Sequence, residues 1–167
     1  MIETKDYWIY EDKFIFKPHF NQPIDVYKDI ICNYKELIFS DYDNLQILIE
    51  TDNKYNYNYF NNYVESKFDE LIDFNQYLNL THLTFGNNFN QPINLSSNLN
   101  LTYLTFGYMF NQPINLPNTI KYLNLNCYNQ YLVDNLPNSI EDLILVLEGD
   151  CCNLELNNLP YSIKKIR

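Results

Sequence analysis

The chain has 167 residues, of which 46% are hydrophobic and 19% are charged, and this length predicts one compact domain or one short repeat array rather than two enzyme domains. Eleven Lys and Arg against 21 Asp and Glu give a net charge of -10 at pH 7. Because nucleic-acid phosphates and anionic lipids are also negative, neither is an expected partner. The chain also contains 27 Asn and no Ala. This bias is typical of AT-rich codons, so the number of Asn residues alone does not indicate a binding site.

The start of the chain carries acids and a Trp, whereas a secretory signal has a basic start and an apolar core. Nowhere do about eighteen apolar residues follow one another, so no membrane-spanning helix is predicted. We therefore expect a soluble cytoplasmic protein without a membrane partner. Cysteines stay reduced in that compartment, and the four in this chain lack the C-x-x-C spacing of a zinc site: Cys32, Cys127, Cys151 and Cys152.

The N-terminal part, residues 1–67, contains two short motifs that recur later in the chain. They are Phe-Asn-Gln-Pro-Ile at Phe20–Ile24 and the run Tyr34–Phe39. They predict diverged repeats with an acidic exterior, since residues 1–73 hold 15 acids and 7 Lys. The alternative is a separate cap, because repeat arrays need a terminal unit that covers the open end of the core.

A low-complexity stretch, Tyr55–Tyr59, alternates Tyr with Asn and is followed by Phe60–Tyr63. Such a pattern fits a strand, a long loop or a disordered segment. Several apolar residues beyond it lie near helical spacing, which would favour a helix. A 21-residue repeat that begins at Phe68 competes with that helix, so residues 41–67 are predicted to contain an irregular insertion between repeats.

The second part, residues 68–167, is internally repetitive. Leu80–Leu95 matches Leu101–Leu116 at an offset of 21, with 13 of 16 positions identical. The same offset carries back to Phe68, and Tyr128–Leu132 is a degenerate copy of the Phe-Asn-Gln-Pro-Ile motif. Further downstream, a turn followed by a strand begins three times, at Leu116, Leu136 and Leu159. A unit of about 20–23 residues is too short to close its own core, so these units must stack on one another.

Within each unit a short run alternates apolar and polar residues, which predicts a strand. Successive strands would lie about 4.8 Å apart in one parallel sheet. The sequence therefore predicts a mainly β, right-handed solenoid of about six or seven turns, in which residues 68–167 continue the N-terminal part. The residues that follow the strands, Gly86, Gly107 and Asn126, are of types that accept a left-handed backbone at a corner.

The alternation assigns the side chains to two faces. The inward set, together with the return segment, forms the predicted core: Leu83, Phe85, Phe89, Ile93, Leu104, Phe106, Phe110, Ile114, Leu123, Leu125, Leu143 and Leu145. The outward set is the candidate partner-binding face: His82, Thr84, Tyr103, Thr105, Tyr122 and Asn124. Tyr offers a large contact area for little rotamer entropy. The alternative interpretation is a solvated sheet surface without a partner.

The second residue of the Phe-Asn-Gln-Pro-Ile motif is predicted to form a ladder of amides, Asn90 and Asn111. A curved, non-helical backbone must satisfy its own N–H and C=O groups, and Asn side chains can do so. We interpret this row as structural rather than ligand-binding. Asn111 is expected to satisfy buried backbone groups.

The tract Leu-Thr-Phe-Gly-x-x-Phe-Asn-Gln-Pro-Ile stands at Leu83–Ile93 and again at Leu104–Ile114. It resembles the FNIP repeat found in social amoebae and in giant viruses of amoebae. The resemblance implies a curved, leucine-rich-repeat-like solenoid that binds proteins, in the host cytoplasm if the source is a virus. FNIP arrays often follow an N-terminal F-box, which would make the chain a substrate adaptor of a ubiquitin ligase. Residues 1–67 do not show the Leu-Pro-x-Glu-Ile opening of an F-box.

No motif for catalysis is found. The two histidines, His19 and His82, are far apart in sequence, and no nucleophile stands at a recognisable sharp turn. Adjacent acids such as Glu141 and Asp142 would point to opposite faces of a strand. The sequence thus predicts a protein that is not an enzyme and takes no cofactor or metal, with a protein of unknown identity as its partner.

The end of the sequence is basic: Lys164, Lys165 and Arg167 lie on the predicted last strand. Lysines on an edge strand oppose pairing with the edge of another molecule by like-charge repulsion. We therefore expect a monomer.

Overall fold

The computed structural model describes residues 1–46, 63–126, 129–146 and 154–167. The Tyr/Asn-rich segment Tyr55–Tyr59 and three of the cysteines, Cys127, Cys151 and Cys152, lie outside this range. Within it, nine strands form one sheet, and their order in space follows their order in the sequence. The strands are β1 (Ile2–Glu3), β2 (Tyr7–Tyr10), β3 (Lys13–Phe16), β4 (Glu36–Phe39), β5 (His82–Thr84), β6 (Tyr103–Phe106), β7 (Tyr122–Leu125), β8 (Asp142–Leu145) and β9 (Lys165–Ile166).

β2 pairs in antiparallel orientation with β1 and with β3, and all pairs from β3 to β9 are parallel. The described helices are short: the 3-10 helices Ile24–Tyr27 and Phe74–Gln76, α1 (Lys28–Ile31) and α2 (Gln130–Asp134). The predicted class is therefore confirmed as mainly β with a mostly parallel sheet. The antiparallel hairpin β2–β3 was not predicted.

The register of the parallel strands follows the sequence repeat. In β5 and β6, residues 21 positions apart are direct partners, as in His82 with Tyr103 and Leu83 with Leu104. The same line of leucines continues backward to Leu37 and forward to Leu123 and Leu143. Because the side-chain period of a strand is two, this alignment puts the leucines of the line on one face of the sheet. Ile15 and Ile38 lie on the opposite face, where they form a second apolar cluster with Trp8 and Leu45.

Two rows of phenylalanine rings run through the core. One row lies at the strand ends, with neighbouring ring centroids 5.3 to 5.7 Å apart: Phe16, Phe39, Phe85 and Phe106. The other lies on the return segments, with centroids 6.0 to 6.1 Å apart: Phe20, Phe68, Phe89 and Phe110. Within each unit the two rings stack at 3.9 to 4.1 Å. Each Phe therefore contacts its own unit and the neighbouring units at once.

Most of the predicted core is buried. The structure buries Leu83, Phe85, Phe89, Leu104, Phe106, Phe110, Ile114, Leu123, Leu125 and Leu143. Ile93 and Leu145 pack against this core but remain half-buried. Leu145 is at the end of β8, and the next strand, β9, is only two residues long, so fewer atoms cover it.

The backbone conformation at the corners after β5 and β6 differs from the expected left-handed one. Neither Gly86 nor Gly107 adopts the left-handed conformation, and among the described non-glycine residues only Glu11, in the β2–β3 turn, has a positive φ (52°). Gly107 is needed because the backbone of one corner lies against the backbone of the preceding corner. A Cβ on Gly107 would lie 2.3 Å from the backbone oxygen of Gly86, so successive corners stack backbone on backbone.

Residues 129–132 also depart from the repeat, because α2 begins at Gln130. The motif at Phe110–Ile114 has Pro113, whereas the corresponding residue here is Tyr131. Proline disfavours helical backbone in the preceding residue, so its loss permits a helix. Asn129 caps this helix, since its Oδ1 accepts a hydrogen bond from the backbone N–H of Leu132 at 3.0 Å.

Candidate functional site

The six residues of the candidate face lie together on the outer side of β5, β6 and β7. Tyr103 and Tyr122 are 38% and 37% exposed, and the other four, His82, Thr84, Thr105 and Asn124, are half-buried. The register joins them in two rows, His82–Tyr103–Tyr122 and Thr84–Thr105–Asn124. We call these six residues the outer face. The strand alternation in the sequence is what places them there.

The aromatic row is a continuous stack. The ring centroids of His82 and Tyr103 are 4.0 Å apart with an interplanar angle of 12°, and those of Tyr103 and Tyr122 are 4.1 Å apart at 4°. Because the rings cover each other's faces, the parts left to solvent are ring edges and hydroxyl groups. Such a surface offers apolar contact together with hydrogen-bonding oxygens.

Ion pairs border the outer face on both sides. On β3 and β4, Lys13 Nζ lies 2.5 Å from Glu36 Oε2, and Glu36 is the direct strand partner of His82. On the other side, Nη2 of Arg167, which directly follows β9, lies 2.5 Å from Oδ2 of Asp142 on β8, and Asp142 is the partner of Tyr122.

A second row of charges precedes the strands. Lys164 Nζ and Lys121 Nζ lie 2.7 and 3.8 Å from Glu141, and Lys35 Nζ lies 3.7 Å from Asp12. The aromatic row of the outer face is therefore an uncharged centre between two sets of ion pairs. The row Thr84–Thr105–Asn124 is bordered instead by Ile38 and Ile144.

The sequence analysis did not predict these ion pairs, although the sequence contains a pattern that indicates them. Charged residues stand in pairs at the start of each flanking strand, and their signs are opposite in neighbouring strands: Asp12-Lys13, Lys35-Glu36, Glu141-Asp142 and Lys164-Lys165. Opposite charges directly across a strand pair are favourable. Recognising them required the register of β3 and β4, which the repeat offset of 21 does not provide.

Two groups of the aromatic row, His82 and Tyr103, have shifted pKa values. Burial lowers the pKa of His82; the nearby Glu36 carboxylate opposes this shift, and Lys13 adds to it. Burial also raises the pKa of Tyr103, as do the hydrogen bond and the charge of Tyr122. The Nδ1 of His82 lies 2.8 Å from Thr81 Oγ1, so the ring is held in place. Both shifts favour the uncharged forms of the His82 imidazole and the Tyr103 phenol at pH 7.

A pH dependence follows from His82. Its pKa is lowered in the folded state relative to about 6.5 in the unfolded chain, so the unfolded state binds the proton more readily. We expect the free energy of unfolding to fall as the pH drops through 6.5. Urea unfolding at pH 7.5 and 5.5 measures this decrease, and His82→Gln should reduce it. An unchanged decrease in that variant would assign the pH dependence to other groups.

The predicted amide ladder exists but differs in extent and in exposure. The ladder runs from Asn21 through Asp69 and Asn90 to Asn111. The side-chain oxygen of each residue accepts a hydrogen bond from the backbone N–H of the following ladder residue, at 2.7 to 3.0 Å. Asn111, however, is exposed, so the expectation that it satisfies buried groups was wrong. It is the last rung among the described residues, and the next motif residue, Asn129, uses its own Oδ1 to cap α2.

The ladder predicts a difference between two equivalent substitutions. Asn90 Oδ1 accepts from the backbone of Asn111 at 2.9 Å and from the side chain of Gln112 at 3.2 Å. Asn90→Ala should therefore lower the free energy of unfolding by about 0.5–1.5 kcal/mol. Asn111→Ala, at the exposed end, should change it by less than about 0.5 kcal/mol. Urea melts of both variants test this, and equal losses would contradict the one-way ladder.

The described part of the chain offers little support for a metal site, a membrane span or a ligand cavity at the outer face. No group of three or more His, Cys, Asp or Glu there could hold a metal ion, and no described helix is long and apolar enough to cross a membrane. A cavity of about 330 Å³ lies beside Trp8, and none of its lining residues belongs to the outer face. His19 pairs with Asp6 at 3.4 Å, away from His82.

Comparison with known proteins supports the resemblance. No curated protein sequence matches the chain. A solved structure, CroV588, described as a novel circular LRR protein, aligns with 97% of this chain and 34% of its own length, at 21% identity and a TM-score of 0.45. This chain thus spans about a third of the length of that protein. Residues 99–128 match the FNIP repeat family model, in agreement with the resemblance noted in the sequence.

Proposed function

We propose that the chain is a non-catalytic repeat scaffold that binds another protein through its outer face. In this proposal the repeats form a right-handed solenoid of about six or seven turns, and the sheet displays the stacked row His82–Tyr103–Tyr122. The observation that carries the proposal is the uncharged aromatic centre between two sets of ion pairs, in a protein with a net charge of -10.

The chemistry of the outer face suits a protein partner. Tyr is enriched at interfaces, and charged residues are depleted in the interface core. The stack holds both Tyr rings in one geometry before any partner binds, so little side-chain entropy is lost on binding. The ion pairs at both borders are already satisfied within the chain. They would surround the contact as a polar rim.

A capture experiment with a matched control tests the face. Immobilised chain is incubated with cytosol of the source cell, and bound proteins are quantified by mass spectrometry. Tyr103→Ser/Tyr122→Ser should lose partners that the parent retains. Tyr161→Ser, which alters a fully exposed Tyr elsewhere, should keep them. Circular dichroism verifies that both variants are folded, and retention of every partner by the double variant would refute the proposed face.

We further propose that the protein is a monomer, and that the basic side chains around β9 oppose self-association. Lys164 and Arg167 are engaged with Glu141 and Asp142, whereas Lys165 has no ion pair with the described residues. The repulsive charge on the β9 edge is thus smaller than the sequence indicated. Light scattering of Lys164→Ser/Lys165→Ser should still show more self-association than the parent, and identical monomeric behaviour of the two would exclude a protective role for these lysines.

A further inference from the structure

One backbone hydrogen-bond pattern recurs between all neighbouring parallel strands. The oxygen of the residue directly before one strand accepts hydrogen bonds from two successive backbone N–H groups of the next unit, at 2.8 to 3.3 Å. The six accepting residues are Asp12, Lys35, Thr81, Thr102, Lys121 and Glu141. The equivalent residue before β9 is Lys164, and no described N–H group donates to its oxygen. Lys164 therefore presents a seventh acceptor of the same kind.

The outer edge of β9 continues this acceptor with further backbone groups. β9 stands at one end of the described sheet, and the N–H groups of Lys165 and Arg167 donate to the oxygens of Glu141 and Leu143 on its inner side. Because alternate residues of a strand direct their backbone groups to opposite edges, those of Ile166 lie on the outer edge. Such a row of unpaired groups is a template for another strand.

Charges in neighbouring strands alternate in sign along the row that precedes the strands. Glu141 lies between two lysines, 2.7 Å from Lys164 Nζ and 3.8 Å from Lys121 Nζ. An interior charge of this row thus contacts an opposite charge in each adjacent unit. Lys164 has one such neighbour, and its side chain is 74% exposed. The alternation therefore calls for an acid on the outer side of Lys164.

The next two residues add a second charge and an apolar position. Lys165 is exposed and makes no ion pair with the described residues, because its strand partner Asp142 pairs with Arg167 instead. Ile166 extends the buried line of leucines beyond Leu143, but it is 49% exposed. A strand added at this edge would thus meet two lysines followed by an isoleucine.

We infer that the β9 edge binds an extended segment of another protein, parallel to β9, in which two consecutive acidic residues precede an aliphatic one. The acids face Lys164 and Lys165, and the aliphatic residue faces Ile166. Within this chain the same order of residues, Glu141-Asp142-Leu143, lies against the inner side of β9. In strand addition the backbone hydrogen bonds supply affinity, and the side chains supply specificity.

The charges at this edge favour such a partner over a second copy of the chain. In a second copy, Asp142–Leu145 is already paired on both edges within its own sheet, and the β9 edge is itself basic. The lysines that oppose self-association thus attract an acidic segment. This edge is separate from the outer face, so binding here does not depend on the proposed function.

A peptide provides a defined probe for the β9 edge. Its sequence is that of Asn138–Val146, it carries fluorescein, and its binding to the purified chain is followed by fluorescence anisotropy. The control peptide contains Glu141→Lys and Asp142→Lys. We expect saturable binding of the acidic peptide and binding of the control that is weaker by about tenfold or more, since two attractive charge pairs become repulsive. The dissociation constant of the acidic peptide should rise between 50 and 500 mM salt.

Two variants of the protein locate the bound peptide. Ile166→Pro removes an N–H group on the outer edge, where proline is tolerated, and should weaken binding by about tenfold through the lost hydrogen bond and the proline ring. Ile166→Val keeps that N–H and should stay within about threefold. Lys165→Ser removes a side chain without an ion pair among the described residues and should weaken the acidic peptide by about threefold, but not the control peptide. Circular dichroism verifies that each variant is folded.

The contrary outcomes are distinct. Equal binding of the two peptides, or unchanged binding by Lys165→Ser, would refute an acidic occupant. Unchanged binding by Ile166→Pro would refute the β9 edge as the site. Absence of saturable binding up to about 1 mM peptide would refute both. Dimers of the parent that form in light scattering and disappear in Ile166→Pro would replace the partner segment by a second copy.

Discussion

Phe106→Ala should lower the free energy of unfolding by about 3–5 kcal/mol, the range for removing a buried aromatic ring. The ring is fully buried and stacks on Phe110 at 3.9 Å and on Phe85 at 5.6 Å. The substitution therefore removes contacts within one unit and between two units. Because the units of a repeat array are held together by contacts between neighbours, one cavity here weakens the whole array.

Urea unfolding followed by circular dichroism measures this loss. Met109→Ala is the matched control, because Met109 is half exposed at the neighbouring corner, and its effect should stay within about 0.5 kcal/mol. A similarly small shift for Phe106→Ala would contradict the inward orientation of the ring.

The repeated part of the fold was predictable because the sequence repeats itself. The offset of 21 between Leu83 and Leu104 fixes the register of β5 and β6, and the alternation within each strand determines its buried side. The hairpin β2–β3 gave no such signal. Its turn places Glu11 in the left-handed region, where Asn or Gly is the usual indicator, so neither turn nor pairing was evident.

The candidate site was predictable only in its centre. The outward positions of β5, β6 and β7 follow from alternation, and the structure places them on one face. The ion pairs at the border depend on contacts between residues 23 or 25 positions apart, such as Lys13 with Glu36 and Asp142 with Arg167. The exposure of Asn111 depends on whether the following unit covers it. That unit forms α2 instead of an extended return, because Tyr131 stands where Pro113 would repeat.

Gly107→Ala should lower the free energy of unfolding by about 1–3 kcal/mol, the usual cost of overpacking. A Cβ at this position would lie 2.3 Å from the Gly86 oxygen and 2.6 Å from the Asn87 Cα. Both are backbone atoms of the preceding corner, so no side-chain rotation can relieve the clash. The two corners must separate, which disturbs the stacking of Phe106 on Phe85 as well.

Gly86→Ala provides the matched comparison, because there the new Cβ meets a side chain. The nearest atom is Ser66 Cβ, at 2.3 Å. Ser66→Gly should therefore restore part of the stability lost in Gly86→Ala, and it should restore none of the stability lost in Gly107→Ala. Urea melts of the two single and two double variants measure these differences. Equal rescue of both substitutions would show that the corners are held apart by something other than stacked backbone, whereas rescue confined to Gly86→Ala would identify the corner glycines as the spacing element of the repeat.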